Sequence, residues 1–376
     1  MTKYYTNFSR TAIDHWDNHQ AVREFTQNWL DSDGAQGYTI TGESLELLNS
    51  DITVSNKMLM MGMSDKREDS SKRGRFGTGS IFAMCVLLAR DIEVTIHNGN
   101  VLWTPRFEYC DKFEEDIMVI DEIDYSPSNH FKVTITGLSD SDMEDVIQTN
   151  LVFQNREVIA SSHIGDIIES VDSNGEVYCG DLYVQQSSGF KYSYNIKPAY
   201  LTLNQDRAST SEWDLQSITS KLIMGTGDNA LIKEAMEADS LDTRHVKYSW
   251  GGVVPTEISE GYGKDFVDNH KSTVVTSDYS EHQDNLKVGN KSVYNPNTAV
   301  VSSIQSSSVY QEAIADIEIK EVPTVQEVVE LLKERIMTLV GNSLTYDQLN
   351  DLETSIDAVV DMSYHWQGDV GDELPF

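Results

Sequence analysis

Nine consecutive apolar residues, Ile81-Phe-Ala-Met-Cys-Val-Leu-Leu-Ala89, follow directly on a glycine-rich stretch, and they constrain the fold more than any other feature of the chain. A helix of this composition has no polar side to offer water, so it must be buried. The run is far short of the ~20 residues that span a bilayer. It reads as core, in a helix predicted over Gly77 to Arg90. Around it the pattern alternates in type. Gln20 to Asp31 has helical spacing, Asp51 to Asn56 alternates like a strand, and polar Ser64 to Arg73 reads as a loop. Ile92 to His97 is a strand ending in the turn Asn98-Gly99-Asn100. Lys132 to Thr136 is another strand, closed by Gly137. Helix, strand, helix and further strands predict a mixed sheet with helices on one face.

Beyond residue 138 the signals weaken. Glu176 to Val184 is hairpin-like, Phe190 to Leu203 strand-like, and Trp213 to Met224 helical in spacing. After about Asp228, short apolar runs such as Thr273 to Thr276 lie among Ser, Asn and Asp, as in a small eroded α/β unit. Helices are predicted over Thr324 to Val340, with a Thr cap, and over Tyr346 to Ser363 after the break at Gly341-Asn342-Ser343. Their apolar residues, among them Val328, Leu332 and Ile336, suit packing or a dimer surface. The expected division is 1–138, 139–227 (a second α/β domain) and 228–376 (α/β and helical), an α+β chain overall.

With 28 Lys+Arg against 61 Asp+Glu, the chain carries a net charge of −33. Such a surface repels nucleic acid and anionic lipid unless a dense basic patch intervenes. Lys66, Arg67, Lys72, Arg73 and Arg75 form the one cluster of that kind. The three cysteines, Cys85, Cys110 and Cys179, are scattered and lack metal-ligand spacing. Together with an N-terminus that lacks a signal-peptide pattern, they predict a reducing, cytoplasmic setting. His15 and His19 could pair on a metal, but no third ligand is evident.

Two motifs carry chemistry. On the first predicted helix, Val22, Phe25, Trp29 and Leu30 share one face, while Glu24, Asn28 and Asp31 gather on the other. A carboxylate beside an amide oxygen suits a hard cation such as Mg²⁺ and can orient or deprotonate a water. An ordinary helix with a solvated polar side would show the same spacing. The second motif is Gly74-Arg75-Phe76-Gly77-Thr78-Gly79-Ser80. Its glycines let backbone approach a ligand, and the helix start behind them offers free N–H groups and a positive dipole end, which is phosphate-binding chemistry. A Walker A loop needs a lysine after its last glycine, and a dinucleotide fingerprint needs a different glycine order; neither is present. A plain glycine turn ahead of a core helix is the other reading.

In combination and in this order, Glu-x-x-x-Asn-x-x-Asp followed by Gly-x-Phe-Gly-x-Gly resembles the GHKL family of ATP-binding proteins, which includes gyrase B, Hsp90, histidine kinases, MutL and MORC-type ATPases. The resemblance covers roughly Gln20 to Leu138 and is nearest to short, divergent Hsp90-like or MORC-like domains, including those of bacteriophages. It implies a Bergerat fold, a helical layer on a mixed sheet with ATP and Mg²⁺ between them. On that resemblance Glu24 activates the attacking water, Asn28 ligates Mg²⁺, and Asp31 supports it. Gly74, Gly77 and Gly79, with Phe76 and Thr78 between them, wrap the phosphates. Gly62, Ser64 and Lys66 belong to a lid over about 57–73. The family's adenine-reading Asp-x-Gly-x-Gly is missing; Asn56 takes the aspartate's place, and Thr136, rather than Thr134, supplies the second adenine-side group. Arg207, after a strand of the second domain, is a source of a basic contact to the γ-phosphate.

The function this implies is slow Mg²⁺-dependent ATP hydrolysis, in which lid ordering or closure of a homodimer acts on a protein partner or complex. The alternative is a nucleotide-binding interaction protein that does not hydrolyse, an acidic inhibitor or decoy encoded by a phage and active in host cytoplasm. Retention of Glu24 argues for the first, since a pure binder has no chemical need of a base.

Overall fold

A computed structural model describes residues 1–13, 15–59, 79–171, 175–203, 210–248, 251–315, 317, 325–340 and 344–368. The chain opens with a strand, β1 (Thr2–Ser9), before the expected helix α1 (Asn18–Leu30). Then come β2 (Ala35–Thr41), β3 (Ser44–Ser50), α2 (Gly79–Ala89), β4 (Glu93–Asn98), β5 (Val101–Cys110), β6 (Glu115–Asp124), β7 (His130–Thr136) and α3 (Asp140–Thr149). The strands make one seven-stranded sheet in the order β1-β6-β5-β4-β7-β3-β2.

Every pairing in this sheet is antiparallel, which corrects the expected mixed sheet. The reason lies in the connections. β2–β3, β4–β5 and β5–β6 are successive hairpins, and β7 returns to fill the place between β4 and β3. Gly99 at the β4–β5 turn has φ 64°, and Gly137 at the end of β7 has φ 98°, conformations that favour glycine.

One face of the sheet carries the core. Leu45 and Leu47 of β3, Val133 and Ile135 of β7, Val94 and Ile96 of β4, Trp103 of β5 and Ile120 of β6 point to the same side. Val22, Phe25 and Trp29 of α1 and Ile81, Met84 and Leu87 of α2 close over them. The apolar run thus lies inside a helical layer over the sheet. Leu87 is fully buried, so Leu87→Ala is expected to cost about 2–5 kcal/mol of unfolding free energy in a denaturant titration.

The predicted strand over Asp51 to Asn56 is not a strand. β3 ends at Ser50, and Asp51 has φ 61°, a left-handed residue that breaks the ladder. Residues 52–55 then run irregularly into a 3-10 turn at Asn56–Leu59. The alternation of Ile52 and Val54 misleads because a side chain replaces the neighbouring strand. The Val54 N–H donates to Asn98 Oδ1 at 2.9 Å, and Asn98 Nδ2 donates to the Val54 carbonyl at 2.8 Å.

The second sheet has the order β11-β10-β12-β9-β8, from β8 (Val158–Ser161), β9 (Gly165–Ile168), β10 (Gly175–Cys179), β11 (Leu182–Ser187) and β12 (Ser193–Ile196). This sheet is the mixed one, because β10 and β12 run parallel. Gly180 and Asp181 have φ 55° and 71°, the turn geometry that matches hairpin twist. Only Ser193–Ile196 of the predicted Phe190 to Leu203 strand pairs. α4 (Glu212–Met224), close to its predicted span, and α5 (Asn229–Glu237) pack on this sheet's core through Leu215, Leu222, Ile232 and Met236.

The chain divides into two compact units, Met1–Tyr262 with Asn297–Ser303, and Gly263–Pro296 with Ile304–Phe376. α6 (Thr256–Asn269) leads from the first into the second. There β13 (Val274–Thr276), α7 (Tyr279–Lys287) and β14 (Ser292–Tyr294) form a small parallel βαβ unit. α8 (Thr298–Ser306), α9 (Ser308–Ala315), α10 (Val325–Val340) and α11 (Tyr346–Gly368) follow. On α10, Leu331, Leu332 and Leu339 are exposed. Among the described residues no helix is long and apolar enough to cross a membrane.

Candidate functional site

α1 is held at both ends, and this fixes where its polar side faces. At its start the Asp17 N–H donates to Gln20 Oε1 at 2.8 Å, and Asn18 Nδ2 donates to Asp142 Oδ1 of α3 at 2.9 Å. Arg90, just past α2, donates to Asn18 Oδ1 at 2.8 Å and also to the Trp16 carbonyl. At its end the helix has carbonyls without intrahelical partners. Gln36 Nε2 reaches the Leu30 carbonyl at 2.9 Å, and Asn49 Nδ2 reaches the Trp29 carbonyl at 3.0 Å. Trp29 Nε1 in turn donates to the Leu48 carbonyl at 2.8 Å. The helix is therefore tied to β2 and β3 below it and packed along α2 beside it.

Along that contact the two sequence motifs meet. A Cβ built on Gly79 would overlap the Glu24 carboxylate. Glycine at this position lets the carboxylate lie directly against the backbone that opens α2. One helical turn on, Asn28 Nδ2 donates to Ser80 Oγ at 2.9 Å. Glu24 and Asn28 are both half-buried, as are Gly79 and Ser80. A carboxylate, an amide and the first N–H groups of a helix, which have no intrahelical acceptor, thus share one place. The donor set suits a magnesium ion carrying phosphate oxygens: Glu24 and Asn28 offer hard oxygen ligands or water contacts, and the α2 start offers N–H donors. These residues fit the group that the resemblance implies.

Asp31 caps the same helix. It is buried, and its N–H donates to the Gln27 carbonyl at 3.0 Å. Gly62, Ser64, Lys66, Gly74, Phe76, Gly77, Thr78 and Arg207 lie outside the described residues.

Two expected positions are not brought to this group. Asn56 sits toward the β1–β6 edge of the sheet, where Nδ2 donates to Tyr4 Oη at 2.7 Å and lies 3.4 Å from Glu122 Oε2. Glu122 also accepts from Tyr4 Oη and, at 2.8 Å, from Trp103 Nε1. β5, β4 and β7 separate that cluster from β3, so Asn56 does not stand at the end of the strand under α1. Thr136 faces away from the helices, as does Thr134, because the buried side of β7 is Phe131, Val133 and Ile135. Thr136 also pairs with Ser44, at the start of β3, and not with its end.

The polar residue that does stand at the end of β3, under α1, is Asn49. It is buried, paired in register with Phe131, and bonded to the α1 terminus. Its signal in the sequence was the inward alternation Leu45-x-Leu47-x-Asn49, hidden because the next alternating stretch was read as the strand. Ser80 closes the glycine-rich motif, and its bond to Asn28 is not legible in the spacing. Among the described residues no group of three His, Cys, Asp or Glu is placed to hold a metal by itself, so the His15–His19 pair gains no further ligand.

Residues 141–229 match a family model described as the Mycoplasma pneumoniae MPN635 N-terminal domain. The match spans α3, the second sheet and α4. An uncharacterized protein of Mycoplasma pneumoniae is 22% identical over 220 residues, covering 54% of this chain and 89% of that protein. Among solved structures, the ATPase region of Saccharomyces cerevisiae topoisomerase II bound to dexrazoxane is similar with a TM-score of 0.35 and 11% identity, over 60% of this chain and 84% of that one. A second structure of that ATPase region gives a TM-score of 0.28 and 8% identity, over 47% and 72%. At such TM-scores neither likeness carries the functional reading, which rests on α1 and the start of α2.

Proposed function

We propose that the chain is a GHKL-type nucleotide-binding protein that hydrolyses ATP slowly with Mg²⁺. The observation that carries this reading is the contact of Glu24 with Gly79 and of Asn28 with Ser80. Residues more than fifty positions apart, each singled out for phosphate chemistry, lie side by side. In this reading Glu24 orients a water for attack and takes its proton. Asn28 presents its amide oxygen to the metal, and the α2 N–H groups bind phosphate oxygens. A magnesium ion held there by Asn28 would supply positive charge to offset that of the phosphates.

The reading assigns nucleotide binding to residues 1–138 and a transducer-like part to 139–227. Lys66, Ser64 and the glycines from Gly62 to Gly77 would close over the triphosphate, and Arg207 would approach its terminal phosphate. The output would be a change of pose toward a protein partner, through lid ordering or homodimer closure. Adenine recognition would rest at the end of β3, where Asn49 stands, and not on Asn56.

Phosphate release and ATP binding by the purified chain, each with and without Mg²⁺, test this. Mg²⁺-dependent release is the expected result. Binding without release would instead support the non-hydrolysing interaction protein. Absence of both at millimolar ATP contradicts the nucleotide reading.

A further inference from the structure

We propose that the His97–His130 pair is a proton-sensitive latch on the segment that follows β3. The latch is a property of the fold and holds whether or not the chain binds ATP. His97, on β4, is buried, and His130 opens the neighbouring strand β7. Their rings pack edge to face with centroids 4.5 Å apart, and His130 Nε2 lies 2.9 Å from His97 Nδ1. A third group places the protons. His97 Nε2 lies 3.1 Å from the Ser126 carbonyl, which can only accept. His97 therefore carries its hydrogen on Nε2. In the neutral ring Nδ1 is then the acceptor, and His130 Nε2–H donates to it.

This arrangement has room for one extra proton but not for two. The first goes to His130 Nδ1 and leaves the bond intact, but it charges a half-buried ring near Lys132. The second would enter at His97 Nδ1, where it meets the His130 N–H, and the bond breaks. The pair titrates as a unit, and the fold opposes both steps. Lys132, on the same face of β7 and paired with Glu46 of β3, repels added charge. Tyr125 packs edge-on against His97 at 4.8 Å, and Asp51 accepts from Asn129, beside His130. Partial burial, then His97 and Lys132, hold His130 below the ordinary histidine range. A histidine lowered by folding contributes its full stability above its unfolded value, about 6.5, and that stability is lost as the pH falls below it.

The pair holds the turn that grips residues 53 and 54. Asn98, next to His97, bonds both backbone groups of Val54. The Gly99 N–H donates to the His130 carbonyl at 3.0 Å, and the Gly99 carbonyl accepts from the Ser128 N–H and Oγ. A Cβ on Gly99 would stand 3.0 Å from the Thr53 methyl, so the turn lies against the segment. Opening the pair loosens the turn from β7, and the Val54 N–H loses its acceptor.

Amide hydrogen exchange of the full chain, corrected for intrinsic rates and read at Val54 and at Leu87 in the core of α2, tests this. Between about pH 7.5 and about pH 5.5, protection at Val54 is expected to fall about five-fold, the effect of one lowered histidine, while Leu87 keeps its protection. His130→Gln keeps an N–H donor and, with its amide turned, presents an acceptor to a protonated His97. This variant is expected to abolish the fall. Protection at Val54 that does not change with pH in the wild-type chain overturns the proposal without any variant. An equal fall at Leu87, the mark of general acid destabilisation, overturns it as well, and so does a fall that persists in His130→Gln.

Discussion

Glu24→Ala is expected to lower ATP turnover by about 10²–10⁴-fold, the usual contribution of a positioned general base. ATP affinity in the same variant is expected to stay within a few-fold of wild type. The separation follows from where Glu24 lies. Its carboxylate rests against the Gly79 backbone at the entrance to α2, where in the proposed reading it would act on a water and be one of several groups near a phosphate. It is half-buried and outside the helix's apolar face, which is built by Val22, Phe25 and Trp29. The packing of α1 on the core is therefore built without it. Removing a negative charge beside phosphates can even tighten nucleotide binding modestly. Phosphate release in single-turnover conditions, set beside equilibrium binding, reads both quantities. Turnover equal to wild type would remove Glu24 from the chemistry.

Gly79→Ala is expected to lower turnover by about 10–100-fold while leaving the thermal midpoint within a few degrees. An added methyl would overlap the Glu24 carboxylate, with Cδ at 2.7 Å and Cγ at 3.2 Å from the new carbon. The backbone there cannot yield easily, because α2 is anchored by Ile81, Met84 and Leu87. The flexible partner moves instead, and Glu24 swings away from the helix start. A shift of about 1 Å at a reacting group costs on the order of 10²-fold in rate. Stability has little reason to fall, since alanine favours a helix over glycine by about 1 kcal/mol. A variant that loses turnover with an unchanged melting curve supports this placement. Unchanged turnover would show that the Glu24 carboxylate works from another position.

The helical layer was largely readable from residues alone. Val22, Phe25 and Trp29 recur at helical spacing, and the Ile81 to Ala89 run allows nothing but a buried helix, so α1 and α2 fall close to their expected spans. The meeting of Glu24 with Gly79 needed three-dimensional information, because spacing within one helix says nothing about its neighbour. The sheet was harder. β1, β2, β3, β5 and β6 were not foreseen. β2 and β5 alternate weakly, with residues such as Gly37, Tyr38 and Pro105 in place of an apolar–polar rhythm. In β6, Ile117 through Asp121 are buried consecutively, which erases alternation altogether. Misplacing the strand at residues 51–56 put Asn56 at a strand end, whereas the strand ends at Ser50, with Asn49 beside its end. Asn98 bonding the Val54 backbone is a tertiary substitute for a strand, and no local pattern distinguishes the two.

The most direct measurement is a crystal structure of the chain with Mg²⁺ and a non-hydrolysable ATP analogue. The account predicts the metal within about 2.0–2.1 Å of Asn28 Oδ1. It also predicts phosphate oxygens on the N–H groups at the start of α2, and Glu24 facing the terminal phosphate. A nucleotide bound anywhere else, or a metal that leaves Asn28 untouched, would contradict it.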